Sequence, residues 1–190
     1  MKNSRRSRRK GTLAFLIPMV VFVVIVIFAI AYAFGPQQGT IVIRAVYGTE
    51  ELHVTATLNG QQVQTPYNAT VTQGYYNVVF PPLQWYVAPP AHALTLGSGK
   101  TAYAVGVYTA AKVAVGVTPG GFNQTAVGAL HGVTPVAWVN TGTQDVVVVV
   151  SGVGSVDLVP GQSHSVVFAA AGVYGFHILD TSITGTVTVY

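Results

Sequence analysis

Apolar and polar residues alternate along most of the chain after residue 39, and this period of two is the strongest constraint on its fold. The segments TIVIRAVY (40–47) and LHVTATL (52–58) show it clearly. Successive side chains of a β-strand point to opposite faces, so the alternation predicts strands with one buried face. No segment outside residues 12–34 has the 3.6-residue period of an amphipathic helix. The sequence therefore predicts an all-β fold for residues 40–190.

One long apolar segment precedes this pattern. Residues 12–34 (TLAFLIPMVVFVVIVIFAIAYAF) contain no charged side chain. A helix of this length, at about 1.5 Å per residue, spans roughly 34 Å and crosses the roughly 30 Å hydrocarbon core of a bilayer. The segment therefore predicts a transmembrane helix in contact with the lipid bilayer. A signal peptide cleaved after Ala33 is the alternative, although the apolar region of a signal peptide is normally about 7–15 residues long.

The positive charges cluster on the amino-terminal side of this segment. Six of the nine lysine and arginine residues lie within residues 1–11, and five of them form a dense run: Arg5, Arg6, Arg8, Arg9 and Lys10. Because basic flanks stay in the cytoplasm, we expect a single-pass protein of the cell membrane with a cytoplasmic amino terminus and extracytoplasmic C-terminal domains. The rest of the chain has three basic and five acidic residues, so no nucleic-acid partner is expected.

A short polar linker at 35–39 leads into a first β domain, predicted at 40–112. Asn59-Gly60 lies between two strand-like segments and is a strong hairpin signal. The same domain contains Thr65-Pro66 and, before another alternating segment, Gly74-Tyr75-Tyr76. With these turns and strands it resembles the PEGA domain, a small β-sandwich of bacterial and archaeal surface proteins. The resemblance implies a PEGA-like module that packs against envelope partners or acts as a spacer, and it implies no catalytic residue.

Residues 113–190 predict a second β domain. They contain, in order, Trp138-Val139-Asn140, the apolar run 146–150, Pro160-Gly161-Gln162-Ser163, and the closing segment 173–190 (VYGFHILDTSITGTVTVY). In this order they resemble a cupredoxin (plastocyanin-like) domain, a Greek-key β-sandwich that ordinarily holds copper. The resemblance implies a cupredoxin-like sandwich and, behind a membrane anchor, a place in a membrane redox complex.

The chain contains no cysteine, whereas a blue-copper centre needs a cysteine thiolate, two histidines and a weak axial ligand. On the resemblance, His177, Asp180 and Ile183 occupy the cysteine, second histidine and methionine positions of the last loop. The upstream histidine position falls at Gln144 or Asp145, and an alignment of the loop shifted by one residue supplies no ligand set either. A conventional copper centre is therefore excluded, and no cofactor is expected.

A different metal hypothesis remains open for His177, Asp180 and Asp145. One histidine and two carboxylates can hold a divalent ion such as Zn²⁺, so a metal-binding or metal-handling protein is an alternative function. The simpler interpretation is that His177 and Asp180 form hydrogen bonds within their loop, with Asp180 in an Asx turn. On that interpretation no metal ion is expected.

Two further pairs of residues are candidates for surface chemistry. Asn68 and Asn123 begin Asn-X-Thr sequons, which are acceptors of N-linked glycans. Trp85 and Tyr86 lie in the aromatic and proline-rich segment 80–92. Such a segment predicts either a contact with a partner or a cover between the two domains.

The sequence has no serine in a nucleophile-elbow context and no complete phosphate-binding loop, so no enzymatic activity is expected. We expect a membrane-anchored extracytoplasmic structural or interaction protein that binds other membrane or envelope proteins. The cupredoxin resemblance implies a more specific form, an accessory subunit of an oxidase-type membrane redox complex. A surface assembly or filament protein is a further alternative, because only 7% of the residues are charged and exposed strand edges favour strand addition.

Overall fold

The structure is a computed structural model that describes residues 20–30, 35 and 37–190. Residues 20–30 form a helix with exposed side chains. Within the described part of the chain, no helix combines the length and the apolar character needed to cross a membrane. The ends of the expected transmembrane segment at 12–34 and the whole basic run at 5–10 lie outside the described residues.

The predicted all-β fold is confirmed, because the residues from 38 onwards form strands joined by turns and loops. Nine strands form the first half of the fold: β1 (Gln38–Tyr47), β2 (Glu50–Leu52), β3 (Thr55–Leu58), β4 (Gln61–Gln64), β5 (Tyr67–Thr72), β6 (Gly74–Val79), β7 (Tyr86–Val87), β8 (His92–Leu96) and β9 (Thr101–Ala110). One sheet has the order β2-β1-β9-β7, with β5 also paired to β1, and the other has the order β4-β3-β6-β8. We call this half the amino-terminal sandwich.

The alternation along β1 builds the core of the amino-terminal sandwich. Ile41, Ile43 and Ala45 are fully buried, whereas Val42 and Arg44 point to the opposite, outer face. β1 pairs in parallel with β9 and antiparallel with β5 and β2, so the inward residues of all these strands face the second sheet. Burial of this apolar face, at about 25 cal/mol per Å², is the main term that holds the two sheets together.

Nine more strands form the second half: β10 (Val113–Thr118), β11 (Gly121–Phe122), β12 (Ala126–Ala129), β13 (Pro135–Asn140), β14 (Val146–Val150), β15 (Gly154–Leu158), β16 (Ser163–Val167), β17 (Gly172–Ile178) and β18 (Thr184–Val189). Their two sheets have the orders β11-β10-β13-β16 and β12-β18-β17-β14-β15. The pairs β10–β13 and β12–β18 are parallel, and the other pairs of these two sheets are antiparallel. We call this half the carboxy-terminal sandwich.

Trp138 lies at the centre of the second core. Its side chain is 1% exposed, and its ring makes an edge-to-face contact with Phe176, with centroids 5.6 Å apart. The indole N–H has no hydrogen-bond acceptor among the described residues. An unpaired buried donor costs about 1–3 kcal/mol, so apolar packing must outweigh that cost here.

The first half differs from the sequence prediction at two places. The segment LHVTATL is divided into β2 and β3, because the buried Thr65 hydroxyl donates to the Leu52 carbonyl (2.7 Å) and accepts from the Val54 amide (2.9 Å). The segment 88–100 (APPAHALTLGSGK) has the proline and glycine residues of a loop and is not among the predicted strands, but it contains β8. β8 pairs with β6 over five residues. This pairing is a long-range interaction, and the local sequence pattern does not predict it.

Candidate functional site

His177 lies on the outer face of the β14–β17–β18 sheet. Its neighbours Phe176 and Ile178 are buried in the core, so the imidazole between them points away from the core. In the sheet register His177 is opposite Val149 on one side and Thr184 on the other. The strand register therefore holds this side chain on a flat sheet surface rather than in a pocket.

Asp145 and Asp180 lie close to each other at one end of the same sheet. They line a shallow depression of about 290 Å³ together with Pro119 and Leu179, and His177 does not line it. Across residues 20–30, 35 and 37–190, no three histidine, aspartate or glutamate side chains are grouped closely enough to hold a metal ion. The structure thus brings the two carboxylates together but leaves the histidine elsewhere.

The loop after β17 is closed by Thr181 rather than by Asp180. The Thr181 hydroxyl donates to the Ile178 carbonyl (2.8 Å) and accepts from the Ile183 amide (3.2 Å). Asp180 itself has a positive φ of 59°, a conformation that aspartate tolerates better than most residues. This geometry replaces the expected Asx turn.

The residues of this loop do not fit a blue-copper centre. The thiolate that such a centre requires is absent from the sequence, and Ile178 and Ile183 contribute apolar side chains to the core. The position that the resemblance assigns to the axial ligand is therefore occupied by a packed hydrocarbon side chain. No electron-transfer step through copper is derived for this chain.

Asn140 ties together the loops at this end of the carboxy-terminal sandwich. Its side chain is fully buried, and its Nδ2 donates to the carbonyls of Gln144 and Leu158, both at 2.7 Å. Its Oδ1 accepts from the Gly142 amide at 2.9 Å. A fully paired amide of this kind fixes the loops that flank the Asp145 depression.

Trp85 joins the two sandwiches. Its indole stacks on the ring of Tyr190, with centroids 5.9 Å apart and an interplanar angle of 27°. The same ring lies over Gly128 of β12, where an added Cβ would come 2.7 Å from the indole Cη2. Trp85 was predicted either to contact a partner or to cover the domain interface, and in the structure its ring covers that interface.

The half-buried ring of Tyr86 packs against two aromatic rings of the amino-terminal sandwich. Its ring makes edge-to-face contacts with Tyr47 and Tyr108, with centroids 5.1 Å and 6.1 Å away. Burial raises the pKa of the Tyr86 phenol above its ordinary value of 10.0, and the nearby Tyr47 and Glu50 raise it further. The phenol is therefore kept neutral.

A groove of about 520 Å³ lies where the two sandwiches meet. Tyr47, Glu50 and Tyr86 line one side, and the segment from Leu130 to Val133 lines the other. His131 in that segment is fixed by a 2.6 Å hydrogen bond between its Nδ1 and the main-chain oxygen of Tyr190.

The outer face of the β2-β1-β9-β7 sheet carries an exposed apolar surface. Val87, Val105 and Val107 are 54%, 39% and 55% exposed, and the half-buried Val46 lies opposite Val107 in the parallel register. We call these four residues the valine patch. Arg44 and Glu51 form an ion pair of 3.0 Å beside it and supply the polar rim. The alternation of β9 (TAYAVGVYTA) contains this signal, since two of its five outward positions, Val105 and Val107, are apolar where polar residues are expected on a solvated face.

Comparison with known proteins identifies partial structural similarity only. No protein-family model matches the sequence, and no curated protein sequence matches it. The structure is similar to a purple cupredoxin from Nitrosopumilus maritimus, with a TM-score of 0.36 and 20% identity, over 41% of this chain and 99% of that chain. It is also similar to an oxidised amicyanin variant, with a TM-score of 0.38 and 21% identity, over 42% of this chain and 82% of that chain. Both similarities cover less than half of this chain, and no functional residue is transferred from them.

Proposed function

We propose that this chain is a membrane-anchored, extracytoplasmic interaction protein with no copper centre and no catalytic site of its own. The observation that carries the proposal is the valine patch on the outer face of the first sheet. Exposed side chains of Val87, Val105 and Val107 leave apolar surface in water, which is unfavourable unless a partner covers it. The surrounding threonines and the Arg44–Glu51 ion pair form the polar rim that is common around protein interfaces.

The chain itself limits where the partner lies. In the proposal, residues 12–34 cross the bilayer, and β1 begins at Gln38, so the linker reaches no more than about 13 Å from the membrane. Val46 lies eight residues further along β1, which adds at most about 27 Å at the rise of a strand. The partner therefore has a domain close to the extracytoplasmic surface of the same membrane. A neighbouring membrane or envelope protein meets this requirement.

The contact between the sandwiches supports a structural role for the whole ectodomain. Trp85 packs on Gly128 and Tyr190, so the carboxy-terminal sandwich is held in a defined position beside the first. In the proposal the first half acts as a PEGA-like spacer and docking module. The cupredoxin-like half keeps the sandwich architecture without the metal ligands, as its resemblance implies.

Photo-crosslinking of the full-length protein in its own membranes tests the proposal. A crosslinkable residue at Val107 should capture a discrete partner, and the triple variant Val87→Thr, Val105→Thr, Val107→Thr should abolish its co-purification. Threonine keeps the strand propensity and removes only apolar contact. The matched control is Val167→Thr with Val173→Thr, which changes two exposed valines of the other sandwich. Equal loss from both variants, or crosslinking at Val173 but not at Val107, would contradict the proposal.

The captured partner decides the specific form of the function. Redox-complex subunits crosslinked at Val107 would support the accessory-subunit form, and a second copy of this chain would support the assembly or filament form. The metal-handling alternative has the depression at Asp145 and Asp180 in its favour, although His177 does not line it. Binding of stoichiometric zinc or copper to the purified protein, lost on Asp145→Asn, would support that alternative.

A further inference from the structure

The two sequons of the chain differ in how the fold uses their asparagines. Asn68 is the second residue of β5, a strand that pairs with β1, and its side chain is exposed on the outer face opposite Val42. Thr70 of the same sequon is exposed two residues later on the same face. Among the hydrogen bonds of the described residues, none uses the Asn68 side chain. The Asn68 amide is therefore available without loss of a fold contact.

The Asn123 side chain is part of the β10–β11 hairpin. Its Oδ1 accepts from the Gly116 amide at 2.8 Å, and its main-chain amide donates to the Gly116 carbonyl at 2.9 Å. The side-chain amide lies flat against Gly116, since a Cβ on that glycine would come 3.2 Å from both Cγ and Nδ2 of Asn123. A sugar on Nδ2 would have to occupy this contact and open the hairpin.

A shallow groove with an exposed aromatic ring lies beside Asn68. It has a volume of about 470 Å³, and its lining residues are Val42, Arg44, Pro66, Tyr67, Asn68, Tyr103 and Val105. Tyr103 is 64% exposed and lies opposite Val42 in the parallel register, so Asn68, Val42 and Tyr103 form one row across the sheet. Aromatic rings offer an apolar face to the C–H groups of a sugar ring, with a phenol hydroxyl at the rim.

We propose that Asn68, and not Asn123, carries an N-linked glycan whose first sugars lie in this groove against Tyr103. The co-reactant is a lipid-phosphate-linked oligosaccharide, the donor class for N-glycosylation. The bond between the anomeric carbon and the lipid phosphate oxygen breaks, and the phosphate leaves with the electron pair. The anomeric carbon bonds to Nδ2 of Asn68, which gives up one proton. The step involves no change of oxidation state.

The glycan groove and the valine patch adjoin on the same sheet face, because Val105 lines the groove and also belongs to the patch. Val107 is four residues beyond Tyr103 along β9, about 13 Å at the rise of a strand. The glycan covers the row of Val42 and Tyr103 and borders Val105, whereas Val87 and Val107 of the patch remain open. The inference rests on the extracytoplasmic placement of residues 35–190 in the proposed function, because glycosyl transfer to sequons takes place outside the cytoplasm.

Mass spectrometry of glycopeptides from the full-length protein, purified from the membranes of its own cells, tests the inference. The peptide that contains Asn68 should carry an oligosaccharide, and the peptide that contains Asn123 should be unmodified. Asn68→Gln and Thr70→Ala should each abolish the modification, and Asn123→Gln should leave it unchanged. An unmodified Asn68, or modification of Asn123 alone, overturns the inference.

A separate experiment measures the topology of the chain, so that a wrong extracytoplasmic placement can be told apart from a wrong glycan inference. The chain has no cysteine, and Ser98→Cys places one thiol in an exposed turn. Labelling of this thiol by a membrane-impermeant maleimide on intact cells, together with an unmodified Asn68, means that the glycan inference is wrong while the topology holds. Absence of labelling until the cells are lysed means that the proposed topology is wrong as well.

Hydroxyl-radical footprinting tests where the glycan lies. Enzymatic removal of the glycan should increase the oxidation of Tyr103 and leave that of Tyr75 unchanged. Tyr75 is 84% exposed on the other sheet of the same sandwich and is the internal control. Equal oxidation of Tyr103 before and after deglycosylation would overturn the placement in the groove.

Discussion

The indole of Trp85 and the phenol ring of Tyr190 stack across the boundary between the two sandwiches, with centroids 5.9 Å apart. Trp85 follows the proline pair 81–82 and has a positive φ of 72°, and Tyr190 is the residue directly after β18. The main-chain carbonyl of Trp85 accepts from the Ala111 amide at 2.8 Å, which fixes the turn that carries the indole. This contact fixes the position of the second sandwich relative to the first.

Replacement of Trp85 by alanine should therefore uncouple the two sandwiches. We expect the free energy of unfolding to fall by about 1–3 kcal/mol, because a half-buried indole and its aromatic stack are lost. Calorimetry should show one transition for the wild type and two for Trp85→Ala. The control Tyr75→Ala, at an exposed position, should change stability by no more than about 0.5 kcal/mol. A single unshifted transition for Trp85→Ala would contradict the role of the stack.

Gly128→Ala should weaken the same interface from the other side. The new methyl group would meet the Trp85 ring at 2.7 Å, so the indole must move, at a cost of about 1–3 kcal/mol. In a Trp85→Ala background the clash disappears, and Gly128→Ala should then be close to neutral. A double-mutant cycle by chemical denaturation measures this coupling, and additive effects would contradict it.

Asn140→Ala should destabilise the carboxy-terminal sandwich by about 2–4 kcal/mol. The change removes three hydrogen bonds and leaves the Gln144 and Leu158 carbonyls without their buried donor. Urea denaturation followed by near-ultraviolet circular dichroism gives the value. The matched control is Asn77→Ala on the exposed face of β6, which should lie within about 0.5 kcal/mol of the wild type. Equal effects at the two asparagines would contradict the role assigned to Asn140.

Gly185→Ala should be among the most destabilising single changes in the closing segment. A Cβ there would collide with the Phe176 ring and come 2.8 Å from the Thr125 main-chain oxygen, which cannot move as a side chain can. We expect a loss of about 3 kcal/mol in the free energy of unfolding. Gly120→Ala has its nearest neighbour at 3.8 Å and should be nearly neutral, which thermal denaturation of the two variants can verify.

Stability should fall at alkaline pH because of Tyr86 and Tyr108. Burial raises the pKa of both phenols above 10.0, so between 10.0 and the raised value the unfolded chain loses the proton first. The unfolded state then binds fewer protons than the folded state, and the free energy of unfolding decreases as the pH rises. Unfolding curves measured on both sides of pH 10.0 should show this decrease. It should be smaller in Tyr86→Phe and Tyr108→Phe, and an unchanged slope in both would contradict it.

Much of this architecture was predictable, because strand formation follows from a local pattern. The alternation in 40–47 correctly predicted β1, and the apolar run 146–150 correctly predicted β14. Both predictions were possible because the direction of a side chain in a strand depends only on its position along that strand. The hairpin at Asn59-Gly60 was also predictable, because the turn type depends on these two residues alone. The exclusion of a blue-copper centre also needed only the sequence, because no fold supplies a thiolate to a chain without cysteine.

The sequence by itself thus determined the all-β class and excluded a blue-copper centre. Only the tertiary structure decided which distant residues come together. Trp85 contacts Gly128 and Tyr190, and Asp145 and Asp180 line one depression that His177 does not line. These pairings depend on strand register and on the packing of one sandwich against the other, and a register shift of one residue would reverse the face of every side chain. Local periodicity carries no information about that register, and so the sites of this protein follow from its fold.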